Sequence, residues 1–351
     1  MAEDLKIGFK LKGGLGDILI GANYLYKIRE LIGYKNICID VYAHRNLSLV
    51  TALFPKQGFV NHIFLDGDIE DNNGQYDLFV VLNRFPDVRH KNLKKIYLYA
   101  PDLIDFVQAC EKFRLKHLRF FDHLPVCDGE ANTILEILKK KRIQQCDIYD
   151  LFNITENFNY ELPLNPSSVT NIKNLDLAGT KYITIHRGTD DKQTENSIKL
   201  WPIHFYNTLI SYIKNSFPDI LIVQLGINEI RCPSFDNIDL NLVGKTSVED
   251  LKVLLKNSFL HIDNEGGMVH LRHALHGGVS CVLFGPTSPE VYGYSENLNL
   301  RGNGCPMACE WVINSWQSRC VRGFHTLPCM NSLTPEFVFS QLTGILGDKT
   351  I

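Results

Sequence analysis

The side chains of this sequence that could do chemistry lie in three glycine-containing segments and one cysteine-rich segment. The first, Gly13-Gly14-Leu15-Gly16-Asp17, follows an apolar run and precedes a helical pattern. Glycines such as Gly14 and Gly16 let a ligand approach the backbone, and a helix N-terminus offers N–H groups to an anion. Asp17 at the helix start has two interpretations: an N-terminal cap of the helix, or a general base toward a hydroxyl group.

The second segment begins at His186 and is followed by Lys199-Leu200-Trp201-Pro202. Glycine and threonine after a strand, with a lysine ahead of a helix N-terminus, are typical of a phosphate cradle. Arg187, Thr189 and Lys199 are therefore candidate phosphate-binding residues, and Arg187 or Lys199 could neutralise a leaving diphosphate.

The third segment is Glu265-Gly266-Gly267-Met268-Val269-His270, again a turn between a strand and a helix. Backbone N–H groups of Gly266, Gly267 and Met268 would point at an anion, with His270 one turn further into the helix. A histidine at such a position has a structural interpretation as well as a functional one, and the residues alone do not decide between them.

Four of the ten cysteines fall close together near the end of the chain. They are Cys305, Cys309, Cys320 and Cys329. Four thiolates can close a tetrahedral site around Zn or Fe, and such a site keeps no open position for catalysis. Buried thiols without a metal and disulfides are the alternative interpretations.

Length and composition bound the class of protein. The 351 residues are enough for two domains, and 45% hydrophobic and 21% charged residues are ordinary for a globular chain. A formal net charge of −3 argues against a nucleic-acid binder held by phosphate contacts. Because the sequence has neither a secretory signal pattern nor an apolar run of membrane-spanning length, we expect a cytoplasmic protein. With no Asp-x-Asp motif, no catalytic metal is expected.

Short apolar runs alternate with helical patterns along the chain, which predicts an α/β protein with parallel sheets. The runs predicted as strands are 5–11, 36–41, 60–65, 78–82, 95–99, 181–186, 220–225, 260–262 and 279–284. The polar stretch 153–178 is predicted to be a linker. The expected organisation is a Rossmann-like domain at 1–165 and a second at 166–351 that includes the cysteine cluster 305–329, with the ligand in a cleft between them.

Five motifs in order resemble those of family 9 glycosyltransferases, the ADP-heptose heptosyltransferases. They are Lys12–Asp17, Lys199–Pro202, Leu242–Ser247, Glu265–His270 and Phe284–Thr287. The resemblance implies the GT-B fold, in which two Rossmann-like domains face each other across a cleft. It also implies an inverting transfer of a sugar, heptose from ADP-heptose, to a hydroxyl of a bacterial surface glycan, a lipid-linked acceptor or a protein.

The resemblance further assigns roles to residues of this chain. Asp17 matches the family's catalytic base, Lys199 its phosphate-contacting lysine, and Glu265 through His270 its diphosphate motif. The base-binding turn matches Gly244, Lys245 and Thr246, and the ribose-contacting glutamate matches Glu229. The chain departs from the family in having Glu265 where an Asp is usual and Gly266 where a Thr or Ser is usual.

The cysteine cluster resembles the iron-bearing four-cysteine site of autotransporter heptosyltransferases. Two rival functions remain: a non-catalytic nucleotide- or sugar-binding protein of the same fold, and a glycosyltransferase with another nucleotide-sugar donor. Basic side chains between residues 84 and 119 fit either a solvated surface or a peripheral contact with an anionic acceptor or membrane, and a homo-oligomer is left open.

Overall fold

The computed structural model describes residues 5–33, 37–44, 47–54, 58–65, 73–83, 85–117, 130–154, 162–173, 175, 177, 179–188, 197–227, 232–313 and 315–347. By its contacts the chain divides into two compact units. The first comprises Met1–Leu124 and Gln145–Pro163, and the second comprises Pro125–Gln144 and Leu164–Ile351.

The first unit contains a five-stranded sheet of order β3-β2-β1-β4-β5, parallel except for β5. Its strands are β1 (Leu5–Leu11), β2 (Ile37–Ala43), β3 (His62–Leu65), β4 (Leu78–Leu82) and β5 (Pro86–Lys91). Its helices are α1 (Leu15–Ile32), α2 (Leu47–Leu53), α3 (Leu93–Tyr99) and α4 (Leu103–Lys116), with 3₁₀ turns at Asn73–Gln75 and Gln145–Phe152.

The central strands of this sheet are buried on both faces. All five residues of β4 and six of the seven residues of β1 are buried. Continuous apolar strands covered on both sides are typical of parallel sheets flanked by helices. The sequence predictions for β1 and β4 are confirmed residue for residue.

The prediction of a strand at 95–99 is wrong, because this segment lies within helix α3. The Asn92 side chain caps that helix by accepting a hydrogen bond from the Lys95 N–H at 3.3 Å. Strand β5 was not predicted; it is a polar edge strand in which Asp87 pairs with Arg89 and Arg114. Polar residues at an edge do not show the apolar run by which strands are recognised.

The second unit contains a six-stranded parallel sheet of order β11-β10-β9-β6-β7-β8. Its strands are β6 (Tyr182–His186), β7 (Leu221–Leu225), β8 (Leu240–Asn241), β9 (Leu260–Asn264), β10 (Ser280–Phe284) and β11 (Leu298–Arg301). Its helices are α5 (Glu130–Lys141), α6 (Pro166–Lys173), α7 (Ile203–Ser216), α8 (Val248–Asn257), α9 (Gly267–Ala274), α10 (Pro289–Tyr292), α11 (Pro328–Asn331) and α12 (Pro335–Leu346).

The core of the second unit is built around Trp201, which is fully buried among apolar side chains of the sheet and of α7. Its indole N–H donates to the Leu333 carbonyl at 2.8 Å, and its backbone N–H donates to the Asn264 side chain at 2.8 Å. The bond to Asn264 connects the start of α7 to the end of β9. It therefore fixes the backbone near Lys199, which lies two residues before Trp201.

The predicted linker at 153–178 contains helix α6, so it is not wholly irregular; residues 155–161 lie outside the described part of the chain. None of the helices within the described residues combines the length and apolar character that a bilayer crossing requires.

Candidate functional sites at the carboxyl ends of the two sheets

In each sheet, successive strands are first added on one side of a starting strand and later on its other side. Strand β1 lies between β2 and β4, and β6 lies between β7 and β9. Loops that leave such a pair of strands turn to opposite sides, which opens a crevice at the carboxyl ends. Asp17 comes after β1 and Arg187 after β6, and Glu265 comes after β9, which pairs with β6.

In the first unit, Asp17 lies in the first turn of α1. Its Oδ2 accepts a hydrogen bond from the Gly14 N–H at 3.0 Å, so the side chain caps the helix. Gly14 has no side chain to return the bond. Gly13 has φ of +112°, and a Cβ there would lie 2.5 Å from Asp17. The turn therefore requires glycine at position 13 for both conformation and space.

The cap does not exclude a second role for Asp17, because the carboxylate is only half-buried. Its other oxygen can accept a hydrogen bond from another donor. Tyr149 lies within electrostatic range: burial first, and then the Asp17 charge, raise the pKa of Tyr149 above its usual range. Tyr149 donates to the Asn83 carbonyl at 3.4 Å. Sequence reasoning missed both Tyr149 and Asn83.

In the second unit, Lys199, Glu265 and His270 form one cluster, in which Glu265 and His270 are buried and Lys199 is half-buried. The Lys199 ammonium lies 2.6 Å from Glu265 Oε2, and His270 Nε2 lies 3.8 Å from Glu265 Oε1. Burial alone would raise the pKa of the Glu265 carboxyl, but the Lys199 ammonium and the His270 ring hold that pKa well below its usual range. Glu265 is therefore an anion that keeps two donor groups in place.

The turn from Glu265 into α9 has the geometry of an anion-binding helix start. Gly266 has an extended backbone and is followed by the first helical residue, Gly267. A Cβ at position 266 would meet only the Asn264 carbonyl, at 3.7 Å, so packing does not demand glycine there. Among the described residues, the Asn264 Nδ2 group is buried without a hydrogen-bond partner. A buried polar group of that kind is a donor that a ligand could use.

A second buried pair, His186 and Asp263, lies at the same edge. His186 Nδ1 and Asp263 Oδ2 are 2.9 Å apart, and His261 Nε2 is 3.4 Å from the same oxygen. Burial would raise the pKa of Asp263, but His186 and His261 lower it overall. For His261, burial lowers the pKa, which favours the neutral ring. Sequence reasoning singled out neither His186 nor Asp263 as a site residue.

The remaining predicted donor-binding residues are placed as follows. The Arg187 Nε donates to the Trp201 carbonyl at 3.0 Å, which brings this arginine to the segment that carries Lys199. Gly244 has φ of +70° and donates its N–H to the Gly226 carbonyl at 2.9 Å, so the turn before Lys245 needs glycine. The Lys245 ammonium donates to the Asn241 carbonyl at 3.0 Å.

Three positions complete the predicted set. Thr246 is half-buried in the segment that connects this turn to α8. Thr189 and Glu229 lie outside the described residues. Lys245 and Thr246 follow strand β8, two strands away from β6 in the sheet, whereas Lys199 and His270 both contact Glu265.

The four clustered cysteines line one small cavity of the second unit. Cys305, Cys309 and Cys329 are buried, and Cys320 is half-buried. Burial, followed by the neighbouring thiols, raises the pKa of Cys309 to about 11. Across the described ranges, no three His, Cys, Asp or Glu side chains are already gathered at metal-ligating distance.

No family model matches this chain, and no curated protein matches it. Solved structures do. ADP-heptose lipopolysaccharide heptosyltransferase II of E. coli is 16% identical with a TM-score of 0.57, covering 97% of this chain and 98% of that one. The family 9 glycosyltransferase from Veillonella parvula DSM 2008 is 13% identical with a TM-score of 0.58, covering 99% and 98%.

The iron-containing dodecameric glycosyltransferase TibC from enterotoxigenic E. coli H10407 is 10% identical with a TM-score of 0.58, covering 98% of this chain and 77% of that one. At such identities the likeness concerns the fold. It confirms the α/β class predicted from the sequence, with two largely parallel sheets, and matches glycosyltransferases of the GT-B class.

Proposed function

We propose that this protein is an inverting glycosyltransferase that uses a nucleoside-diphosphate sugar. The observation that carries the proposal is the Lys199–Glu265–His270 cluster at the crevice of the second sheet, in a fold shared with known glycosyltransferases. A cation, a histidine and the N–H groups at the start of α9 are the groups that stabilise a departing diphosphate.

In the proposed reaction, Asp17 takes the proton of the acceptor hydroxyl as that oxygen forms a bond to the anomeric carbon. The bond from the anomeric carbon to the diphosphate oxygen breaks, and its electron pair leaves with the nucleoside diphosphate. Lys199, Arg187 and His270, with the N–H groups of Gly266 to Met268, are proposed to stabilise the charge that develops there.

The proposed donor is ADP-heptose. Supporting this choice are the sequence motifs and the likeness to structures of heptosyltransferases, including one solved with ADP and one with ADP-2-deoxy-2-fluoro heptose. The acceptor is proposed to be a hydroxyl of a surface glycan, a lipid-linked sugar or a protein. Comparing ADP release from ADP-heptose with UDP release from UDP-glucose tests the donor, and equal or absent release from both contradicts it.

We further propose that Cys305, Cys309, Cys320 and Cys329 hold one structural Zn or Fe ion. The support is that the four thiols line one small cavity, and that four sulfur ligands are the donor set these metals accept. The ion would draw the thiols together as thiolates and would fix the loops between β11 and α12. No chemical step is assigned to it.

A non-catalytic nucleotide-binding protein is the rival, since the cluster of the second unit would also serve binding alone. The two functions differ at Asp17, because a binding protein needs no base toward an acceptor. A binding protein would hold a nucleoside diphosphate sugar without releasing the nucleoside diphosphate, with or without acceptor extracts.

We expect Lys199→Ala to weaken nucleoside-diphosphate binding and turnover together, each by about 10- to 100-fold. A hydrogen bond to a charged group contributes roughly 1.5–3 kcal/mol, and the diphosphate gains charge as the bond breaks. Calorimetry with ADP and initial rates of ADP release measure both. Lys214→Ala is the matched control, because Lys214 forms a 2.7 Å ion pair with Asp239 on the surface of α7.

Lys199→Ala leaves Glu265 with one partner fewer, and an uncompensated buried charge destabilises a fold by about 3–5 kcal/mol. The double variant Lys199→Ala/Glu265→Gln removes that charge. If the double variant is folded and binds ADP with the parent's affinity and turns over at the parent's rate, Lys199 has no role at the diphosphate.

A further inference from the structure

We propose that Tyr294 is a positioning residue of the donor site, which holds the His270 ring so that its Nε2–H is kept on the side of Glu265 and the diphosphate. The inference rests on the proposed donor site and adds to it a residue that neither the sequence motifs nor the comparisons assign. The hydrogen bond involved is made by Nδ1, the ring nitrogen of His270 that faces away from Glu265.

The hydrogen bond between the two residues is short and buried. His270 Nδ1 and the Tyr294 hydroxyl oxygen are 2.6 Å apart. His270 is 5% exposed and Tyr294 is 4% exposed, so water does not compete for the bond. The two rings meet edge to face at 81°. A bond of this kind fixes the rotation of the imidazole ring, and the hydroxyl can donate to Nδ1 or accept from it.

The charge of Glu265 decides where the proton of His270 lies. The ionised Glu265 carboxylate faces Nε2 at 3.8 Å, and an anion attracts an N–H but repels a nitrogen lone pair. Nε2 therefore carries the proton, and in the neutral ring Nδ1 accepts a hydrogen bond donated by the Tyr294 hydroxyl. If the ring gains a second proton, the hydroxyl accepts from Nδ1–H, and the Nε2–H stays where it is.

Tyr294 is itself held from two sides. The His273 ring stacks on it with centroids 3.6 Å apart and planes 11° from parallel, and His273 Nδ1 lies 2.5 Å from Glu296 Oε1. The Tyr294 carbonyl accepts from Asn299 at 2.8 Å. A continuous chain of contacts therefore leads from Glu296 through His273 and Tyr294 to His270. These contacts hold the Tyr294 hydroxyl in place.

This arrangement gives His270 a defined task when a diphosphate binds. A phosphate oxygen near Nε2 can accept a hydrogen bond from the Nε2–H that faces Glu265, while Glu265 keeps its 2.6 Å pair with Lys199. Without the Tyr294 hydroxyl, the imidazole ring is free to rotate, and its Nε2–H is no longer held toward the phosphate. The effect is specific for phosphate and does not extend to the nucleoside.

The test is Tyr294→Phe, which removes one oxygen atom and keeps the ring that stacks on His273. The matched control is Tyr182→Phe, because the buried Tyr182 hydroxyl donates to the Leu254 carbonyl at 2.9 Å at the other end of the sheet. Binding of ADP and of adenosine is measured for both variants, and thermal unfolding confirms that they are folded. We expect Tyr294→Phe to bind ADP about 10-fold more weakly, as for other removed orienting groups, with adenosine affinity unchanged.

Nitrogen-15 spectra of the ligand-free protein, with the His270 signal assigned through His270→Gln, give a second readout that a purely structural tyrosine would not move. The parent is expected to hold the proton on Nε2 and to accept a hydrogen bond at Nδ1, and Tyr294→Phe is expected to shift the Nδ1 signal toward that of a nitrogen without a hydrogen bond. Unchanged ADP affinity, an equal loss for ADP and adenosine, or a parent His270 protonated on Nδ1 alone would each overturn the inference. If the parent binds no nucleotide, the proposed function fails, and the spectra still decide the role of Tyr294.

Discussion

Asp17→Asn is expected to lower turnover by about 10²–10⁴-fold while nucleoside-diphosphate affinity stays near that of the parent. The first figure is the usual contribution of a positioned acid or base. Asparagine keeps an oxygen that can accept the Gly14 N–H, so the cap observed at 3.0 Å survives the substitution. Only the capacity to take a proton is lost. Single-turnover ADP release and calorimetry with ADP measure the two quantities.

The capping role of Asp17 makes a matched control available. Asp250 occupies the same position in α8, where its carboxylate accepts from the Ser247 N–H at 3.1 Å. Asp250→Asn should change stability about as much as Asp17→Asn and leave turnover near the parent's value. Asp17→Ala should in addition cost roughly 1 kcal/mol of unfolding free energy through the lost cap. If Asp17→Asn turns over like the parent, Asp17 is a cap and not the base.

Replacing two of the clustered cysteines, Cys305→Ser with Cys309→Ser, is expected to remove the bound metal and unfold the second unit. The parent should contain about one Zn or Fe per chain by elemental analysis. Binding of a structural zinc is worth about 10–16 kcal/mol in small zinc domains, which exceeds or matches the stability of most domains, and that binding energy is folding energy. Circular dichroism and metal analysis of the variant measure both losses.

Cys281→Ala is the control for this variant, because Cys281 is a fully buried cysteine of the same unit that does not line the cavity. It should lower stability and leave the metal content unchanged. A folded, metal-free parent with four titratable thiols in the cluster would contradict the proposed metal site. Loss of stability under mild reductant with no change in metal content would point to disulfides instead.

The parts of the fold that were predictable from sequence are those dominated by local apolar pattern. Strand β4 is an uninterrupted apolar run, β1 is apolar apart from two lysines and a glycine, and α8 is preceded by Ser247, whose hydroxyl accepts from the Asp250 N–H as a cap. The segment 95–99 was predicted wrongly because its apolar residues fit both the period of a strand and the period of a helix. Length alone cannot separate a short strand from a short helix.

The site residues were predictable where they lie in motifs of consecutive residues. Lys199 and Glu265 were both singled out, but their direct contact was not, since no local pattern reports that two loops 66 positions apart along the chain meet. His186 and Asp263 pair across 77 positions and were missed for the same reason. Tyr149 lies in a polar stretch without a motif, so only the packing of the first unit brings it near Asp17.

Helix α5 belongs to the second unit, and this affects where the chain can be divided. Residues 125–144 group with the second unit, although the chain returns to the first unit over 145–163 before it enters the second for good. Gln144 donates to the Gly293 carbonyl at 2.6 Å, next to α10. Neither unit is thus a single uninterrupted stretch of the gene product. A fragment that starts at residue 166 would lose α5 and the hydrogen bond that Gln144 donates, so no single cut in the chain separates the two units intact.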